Sequence, residues 1–293
     1  MTDFVATTDI IDAHLHLWDL GAGGYGWLGP QHGELNRSFS AGEAHSELTG
    51  AGVSGAIVVQ ADDTAADTDF MLATAQHNTW IAGVVGWVPL DDQQRAGEEL
   101  DRLCAEPKFR GIRHLVHNDP RPDFLALPAV RTSLKEAARR GLAFDVPDAW
   151  PRHLGAAVEL ARALPGLTVV LDHLGKPPLG SGGSEAGGAD LESWRQQFRA
   201  LAELPNTVAK VSGLQLPGVP QTPEALHKLW EEAVESFGPD RLMFGGDWPV
   251  STLAAPYAET AGVLFALADE LSVTERQDFL TGTARRVYGL PAP

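Results

Sequence analysis

The sequence predicts a closed barrel of eight parallel strands, a single (β/α)8 unit over residues 1–293, on three observations. Eight short apolar runs bounded by turn residues alternate with segments of helical period along the whole chain, which is the pattern of βαβ units. No break in composition is long enough to part off a second domain, and 293 residues is a common size for one such barrel. The first and last runs both deliver polar side chains suited to one site, and they are neighbours only if the sheet closes.

The strands are expected at 10–16, 55–60, 82–88, 109–116, 142–147, 168–175, 207–213 and 242–248. In the first, His14 and His16 are one residue apart, so an extended strand points both imidazoles to one face. Ser40 and Glu43 then stand at capping-box spacing, and Ala44, Glu47, Leu48 and Ala51 continue a helix that stops at Gly52. Residues 128–140 place Val130, Leu134, Ala137 and Ala138 on one stripe before Gly141, and 153–164 do the same with Leu154, Ala157, Val158 and Ala161. Thr222-Pro223 is a cap followed by proline at the first helical position. It opens a helix whose apolar face, Leu226, Leu229, Trp230, Ala233, Val234 and Phe237, must dock on a sheet. The last helix is expected from Thr274, with Gln277 in capping-box position and Phe279, Leu280, Ala284 and Val287 apolar.

Two connections, 19–39 and 176–190, are rich in turn residues and follow strands one and six, at the end of a barrel where sites are built. The Gly/Ser stretch 180–184 is expected to be mobile and lacks the ending of a phosphate-binding loop, which argues against nucleotide binding.

With 39 acidic against 22 basic residues, the net charge of −17 works against nucleic acid and anionic membranes as partners. A small-molecule substrate is the expected partner, and the oligomeric state is left open. The lone cysteine, Cys104, excludes an intramolecular disulfide and is expected as core filler. Residues 1–6 carry neither a basic nor an apolar leader pattern, and no apolar run has transmembrane length, so a cytoplasmic protein is expected.

Placing polar residues at strand ends gathers His14, His16, His114, Asp145, His173, Lys210, Ser212 and Asp247 at one rim. The remaining histidines, at 32, 45, 77, 117, 153 and 227, fall in loops or helices and are expected to be mostly solvated or cap-forming. Alternation sets His173 against Asp172 and His114 against Arg113 as the inward residue; His173 and His114 are taken. Asp247 reads as a site carboxylate or a helix N-cap, Lys176 as a substrate contact or a solvated loop lysine, and Asp12 as a hydrogen-bonding group at the start of its strand. Trp18, Trp27, Trp87 and Trp248 read as pocket wall or as packing.

The motifs IDAHLHLWD, FRGIRHLV, LDHLGKP, KVSGL and RLMFGGDWP, in this order and spacing, resemble the lactonase-like branch of the amidohydrolase superfamily over residues 9–290. The resemblance implies a distorted TIM barrel that hydrolyses a small polar lactone, such as a sugar-acid or muconate-type lactone. It matches His14 and His16 to the family's strand-one metal pair, His173 to its strand-six histidine and Asp247 to its strand-eight aspartate. His114 and Asp145 stand where the dinuclear members place a bridging Lys or Glu and a histidine, so one divalent ion, Zn or Mn, is implied, and a metal-free route stays open. Under the metal reading, an ion on His14, His16 and Asp247, or with His173, acidifies a water and polarises the carbonyl. Asp247, His173 and His114 are then the catalytic set, and Lys176, Arg113, Lys210, Trp18, Trp27 and Trp248 the substrate-binding set. The rivals are a metal-dependent decarboxylase of an aromatic acid and a ligand-binding barrel without catalysis.

Overall fold

The computed structural model describes residues 9–22, 24–180, 185–216 and 218–291. Residues 1–6 and most of the 180–184 stretch lie outside the described residues. Eight strands run parallel in sequential order: β1 Ile11–Leu15, β2 Gly55–Val59, β3 Ile81–Gly86, β4 Phe109–Arg113, β5 Ala143–Val146, β6 Val169–Leu171, β7 Thr207–Val211 and β8 Leu242–Phe244. The ring closes through backbone hydrogen bonds beyond the end of β8. Asp247 N donates to His14 O at 2.8 Å, and His16 N donates to Trp248 O at 2.7 Å. The carboxylate of Asp12 reinforces the seam by accepting from Gly246 N at 2.9 Å and from Tyr257 Oη at 2.7 Å.

Helices α1 Ala41–Gly50, α2 Ala65–His77, α3 Gln93–Leu103, α4 Pro128–Arg139, α5 Leu154–Ala163, α6 Glu185–Ala202, α7 Pro223–Phe237, α8 Tyr257–Ala268, α9 Val273–Gln277 and α10 Thr283–Val287 accompany the strands. The α1 capping box forms as expected, with Ser40 Oγ accepting from Glu43 N and Glu43 Oε2 accepting from Ser40 N. The last helix starts earlier than expected. Its box is Ser272 and Glu275, because Ser272 has the extended backbone of a cap while Val273 already begins the helix. Cys104 follows α3 and is exposed, not core. Among the described residues no helix is long and apolar enough to cross a membrane.

Alternation along the strands divides the molecule into two packed regions. Residues such as Val58, Ile112, Val169, Leu171, Ala209 and Val211 pack in the large outer core with the helices. Ile11, Ala13, Ile57, Val59, Val85, Ala143, Val170, Val208 and Met243 form a separate inner set, with Ala284, Tyr288 and Leu290 packed on it. The same inward parity, carried one step further up each strand, delivers Arg113, Asp145, Asp172 and Lys210, all buried. The barrel interior is therefore apolar at its base and ionic toward its C-terminal end.

Candidate active site

His14 and His16 leave the end of β1 with their Nε2 atoms 3.1 Å apart. Asp247 Oδ1 lies 3.9 Å from His14 Nε2, 3.5 Å from His16 Nε2 and 4.0 Å from His173 Nε2. Each imidazole is held from its other nitrogen. His16 Nδ1 donates to Val59 O at 2.8 Å, His173 Nδ1 pairs with Ser212 Oγ at 2.9 Å, and His14 Nδ1 lies 3.3 Å from Asp172 Oδ1. Anchoring Nδ1 in this way fixes the ring and turns Nε2 toward the shared centre.

Two backbone turns aim the groups that extended strands would not. His173 and Asp247 sit at φ 55 and 56, in the left-handed region that non-glycine residues seldom adopt. The turn at His173 brings both Asp172 and His173 inward, so the parity contest between them has no loser. Asp247 faces the imidazoles and caps no helix; the short helix that follows has Pro249 in the capping position.

Charge in the cluster follows from burial and neighbours. Burial drives His14 and His173 below the ordinary imidazole value of 6.5, so both rings are neutral near pH 7. Burial alone would raise Asp247, but His173, the hydrogen bond from His16, Lys176 and His14 together hold its carboxyl far below the usual carboxylate range.

Beneath the rim lies an ionic layer. Lys210 Nζ, fully buried, is 2.5 Å from Asp145 Oδ2, 3.0 Å from Asp172 Oδ1 and 3.1 Å from His14 Nδ1. Arg113 Nη1 reaches His14 Nε2 and Asp172 Oδ2, both at 3.0 Å. Tyr288 Oη donates to Asp145 from the turn after α10 at 2.9 Å.

Above the cluster is a cleft of about 190 Å³, lined by His16, Trp18, Trp27, Arg113, His173, Lys176 and Asp247 among others. Its aromatic wall is Trp18, just before the 19–39 connection, and Trp27 within it, held by hydrogen bonds of that segment. Trp18 Nε1 donates to Arg37 O at 2.6 Å, Trp27 Nε1 to Ala61 O at 2.8 Å, and Tyr25 Oη to Asp67 at 2.7 Å.

Three expected site residues stand elsewhere. His114 follows the outward parity of Ile112; it stacks on Phe124 at 4.0 Å between centroids, pairs with Trp87 Nε1 at 3.2 Å and with Asp119 at 3.1 Å, and lines no part of the cleft. Lys210 has the expected inward direction but lies under the cluster, paired to carboxylates and out of reach of a ligand in the cleft. Trp248 packs edge-on against Phe39 and lines a different, surface groove. Conversely, His117, expected to be solvated or capping, lines the cleft with Asn118 and Asp148.

Gly213 shows how tightly the site is built. Its φ is +56, and a Cβ there would stand 2.3 Å from His173 Nδ1 and 2.9 Å from Asp247 Oδ2. Gly213→Ala is expected to displace both side chains and lower kcat about 100-fold with an unchanged circular dichroism spectrum. A variant with normal turnover would show that the cluster tolerates the shift.

The ligand atoms of His14, His16 and Asp247 lie within 4.8 Å of one another, as do those of His14, Asp172 and His173. Ligands about 2.1 Å from one tetrahedral ion stand about 3.4 Å apart, which the 3.1, 3.5 and 3.9 Å spacings of the first trio bracket. Two imidazole nitrogens 3.1 Å apart beside a carboxylate are a donor set that suits a divalent ion.

A parallel eight-stranded barrel with three imidazoles and a carboxylate converging at its C-terminal rim defines the chain as a TIM-barrel enzyme with a histidine–carboxylate centre. The chain belongs to the amidohydrolase family, whose model matches residues 11–290. It is 34% identical over 250 residues to an L-fucono-1,5-lactonase of Burkholderia ambifaria, spanning 85% of this chain and 83% of that one. It is 33% identical to an L-fucono-1,5-lactonase of Burkholderia multivorans, over 97% of both chains. It also superposes on the crystal structure of a zinc-bound amidohydrolase from Burkholderia multivorans, with a TM-score of 0.85 at 32% identity over 97% of this chain and 100% of that one.

Proposed function

We propose that this chain hydrolyses the ring ester of a sugar-acid lactone, with one divalent ion, zinc or manganese, held by His14, His16 and Asp247. The observation that carries the reading is the convergence of three Nε2 atoms and one carboxylate on the floor of a cleft of about 190 Å³. The two L-fucono-1,5-lactonases named above support the substrate class.

When bound, the ion supplies an acidified water and a Lewis acid for the carbonyl. The chain's own groups do the rest. Asp247, held ionised, orients the attacking water, takes its proton as the bond to the carbonyl carbon forms, and passes it to the departing ring oxygen. Arg113 Nη1, at the cleft floor beside His14, and the Lys176 ammonium place positive charge where the carbonyl oxygen becomes negative. His173, fixed by Ser212, packs 4.4 Å from His14 and keeps Asp247 charged.

The test is acid release from a panel of lactones, read with a pH indicator, alongside metal analysis of protein purified without added ions. Turnover of an aldono-1,5-lactone is expected, with chelation lowering kcat at least about 100-fold and zinc or manganese restoring it. Bicarbonate formed from an aromatic acid, with no lactone turnover, would favour the decarboxylase. Lactone binding without turnover in metal-loaded protein would favour the non-catalytic barrel. Full activity in metal-free protein would remove the ion from the scheme and leave Asp247 as the base.

A further inference from the structure

Beyond the residues of the reacting centre, the cleft has a second polar lining that ring opening does not use. His117 and Asn118 lie in the loop after β4, and Asp148 in the loop after β5. Asp148 is at φ 42, again left-handed for a non-glycine residue, a conformation kept where the surroundings over-determine it. His117 Nδ1 and Asp148 Oδ1 are both shut away from solvent with no hydrogen-bond partner. Buried polar atoms are rarely left so, because the unmade hydrogen bond costs stability. Neither side chain hydrogen-bonds within the described residues, and with Nδ1 and Oδ1 shut away it is the other polar atom of each, His117 Nε2 and Asp148 Oδ2, that is left for a ligand hydroxyl in the cleft.

The charges specify that ligand further. Both lining cations belong to the reacting centre: Arg113 pairs with Asp172 beside His14, and the Lys176 ammonium donates to Gly213 O at 2.7 Å and lies beside Asp247. Burial pushes His117 down to about 4; the pull of Asp148 is outweighed by that burial and by the charge of Arg113, so the ring is neutral. No lining cation among the described residues faces Asp148 as an ion-pair partner. A substrate carboxylate in this part of the cleft would meet an uncompensated carboxylate at low dielectric. Hydroxyl groups, which donate to Asp148 and both donate to and accept from His117 and Asn118, are suited to it.

We propose that His117, Asn118 and Asp148 form a hydroxyl-reading wall that selects polyhydroxylated lactones over those without hydroxyls. The inference rests on the reading of the site as a lactone hydrolase and names which lactones it takes. A site built to hydrogen-bond a hydroxyl rejects the analogue lacking it far more strongly than an apolar pocket rejects a missing methylene. The wall therefore decides between the sugar-acid and muconate-type substrates in favour of the former.

The experiment compares kcat/KM for L-fucono-1,5-lactone and for δ-valerolactone, which has the same ring ester and no hydroxyls, in the unaltered enzyme, Asp148→Asn and His117→Gln. The ratio of the two constants is unaffected by a partly inactive preparation or by a general loss of structure. It is expected to fall about 10- to 100-fold in Asp148→Asn and in the same direction in His117→Gln. A ratio within threefold of the unaltered enzyme's in both variants overturns the wall. An unaltered enzyme that opens neither lactone overturns the hydrolase reading instead. The wall is then decided by the same ratio taken from calorimetric Kd values for the two lactones: a drop in the variants supports it, and no drop overturns it.

Discussion

Asp247→Asn is expected to lower kcat about 100- to 10,000-fold, the range for removing a positioned general base, without loss of the fold. The substitution preserves shape, and asparagine is among the residues that best tolerate the left-handed φ of 56 found here. The backbone bond from residue 247 to His14 O that helps close the barrel involves no side chain, so closure survives. What is lost is charge. Three imidazoles within 4.0 Å of one carboxylate oxygen depend on that charge, and an amide can neither take the water's proton nor return it to the ring oxygen. Acid release under saturating lactone, with a melting curve of the variant, decides the matter. A kcat within threefold of the unaltered protein would mean that another group moves the proton. The pH profile of the unaltered protein follows from the same electrostatics. Burial lowers His14 and His173 from 6.5, and Asp247 lies far below the usual carboxylate range, so these groups stay in their basic forms as pH falls through 6.5. The constant kcat/KM should therefore be level from about pH 8 to 6.5 and fall only with further acidification.

The barrel was legible because its signals are local and repeated. Apolar runs between turn residues place all eight strands, and the His14/His16 spacing gives their shared face, since both are properties of an extended backbone. Continuing the alternation of Gly111, Ile112 and Arg113 selects Arg113 as the inward residue; preferring His114 weighs chemistry above parity, and parity wins. Other features have no local signal. A left-handed turn at His173 or Asp247 is not announced by its residue type, yet it sends both Asp172 and His173 inward and Trp248 out to Phe39. Depth is equally silent. Alternation with Val208 says that Lys210 points inward, but only the stagger of neighbouring strands puts it level with Asp145 and Asp172, below the cleft. His117 and Asp148 lie in loops, where the conformation that brings them to one cleft has no period to read.

Lys210→Met should destabilise the folded protein by about 3–5 kcal/mol, the cost of removing one partner from a buried ion pair. The methionine fills the space of the lysine stem, so the loss is electrostatic and not a cavity. Asp145 and Asp172 share this ammonium at 2.5 and 3.0 Å, and all three side chains are fully buried. Burial pushes Asp145 up to about 6 even with Lys210 and Tyr288 holding it down. Asp172, which burial would also raise, is kept well below its ordinary value by Lys210 first, with His14 and Arg113 adding to it. By contrast the surface pair Arg162–Glu159, 2.6 Å apart with side chains 52% and 62% exposed, should lose less than about 1 kcal/mol in Arg162→Met. The deficit of Lys210→Met also has a predictable pH dependence. In the unaltered protein the depressed Asp172 contributes stability that is present above its unfolded value of 3.8 and is lost as pH falls through the folded value. The raised Asp145 already lets the unaltered protein gain some stability as pH falls through about 6; in the variant both carboxyls lose their largest downward pull, so the folded state binds protons more tightly still and gains more. Urea midpoints of the two proteins should therefore draw together between about pH 7 and pH 5. A gap that stays constant across that range would mean that Lys210 acts through packing and not as the shared cation under His14.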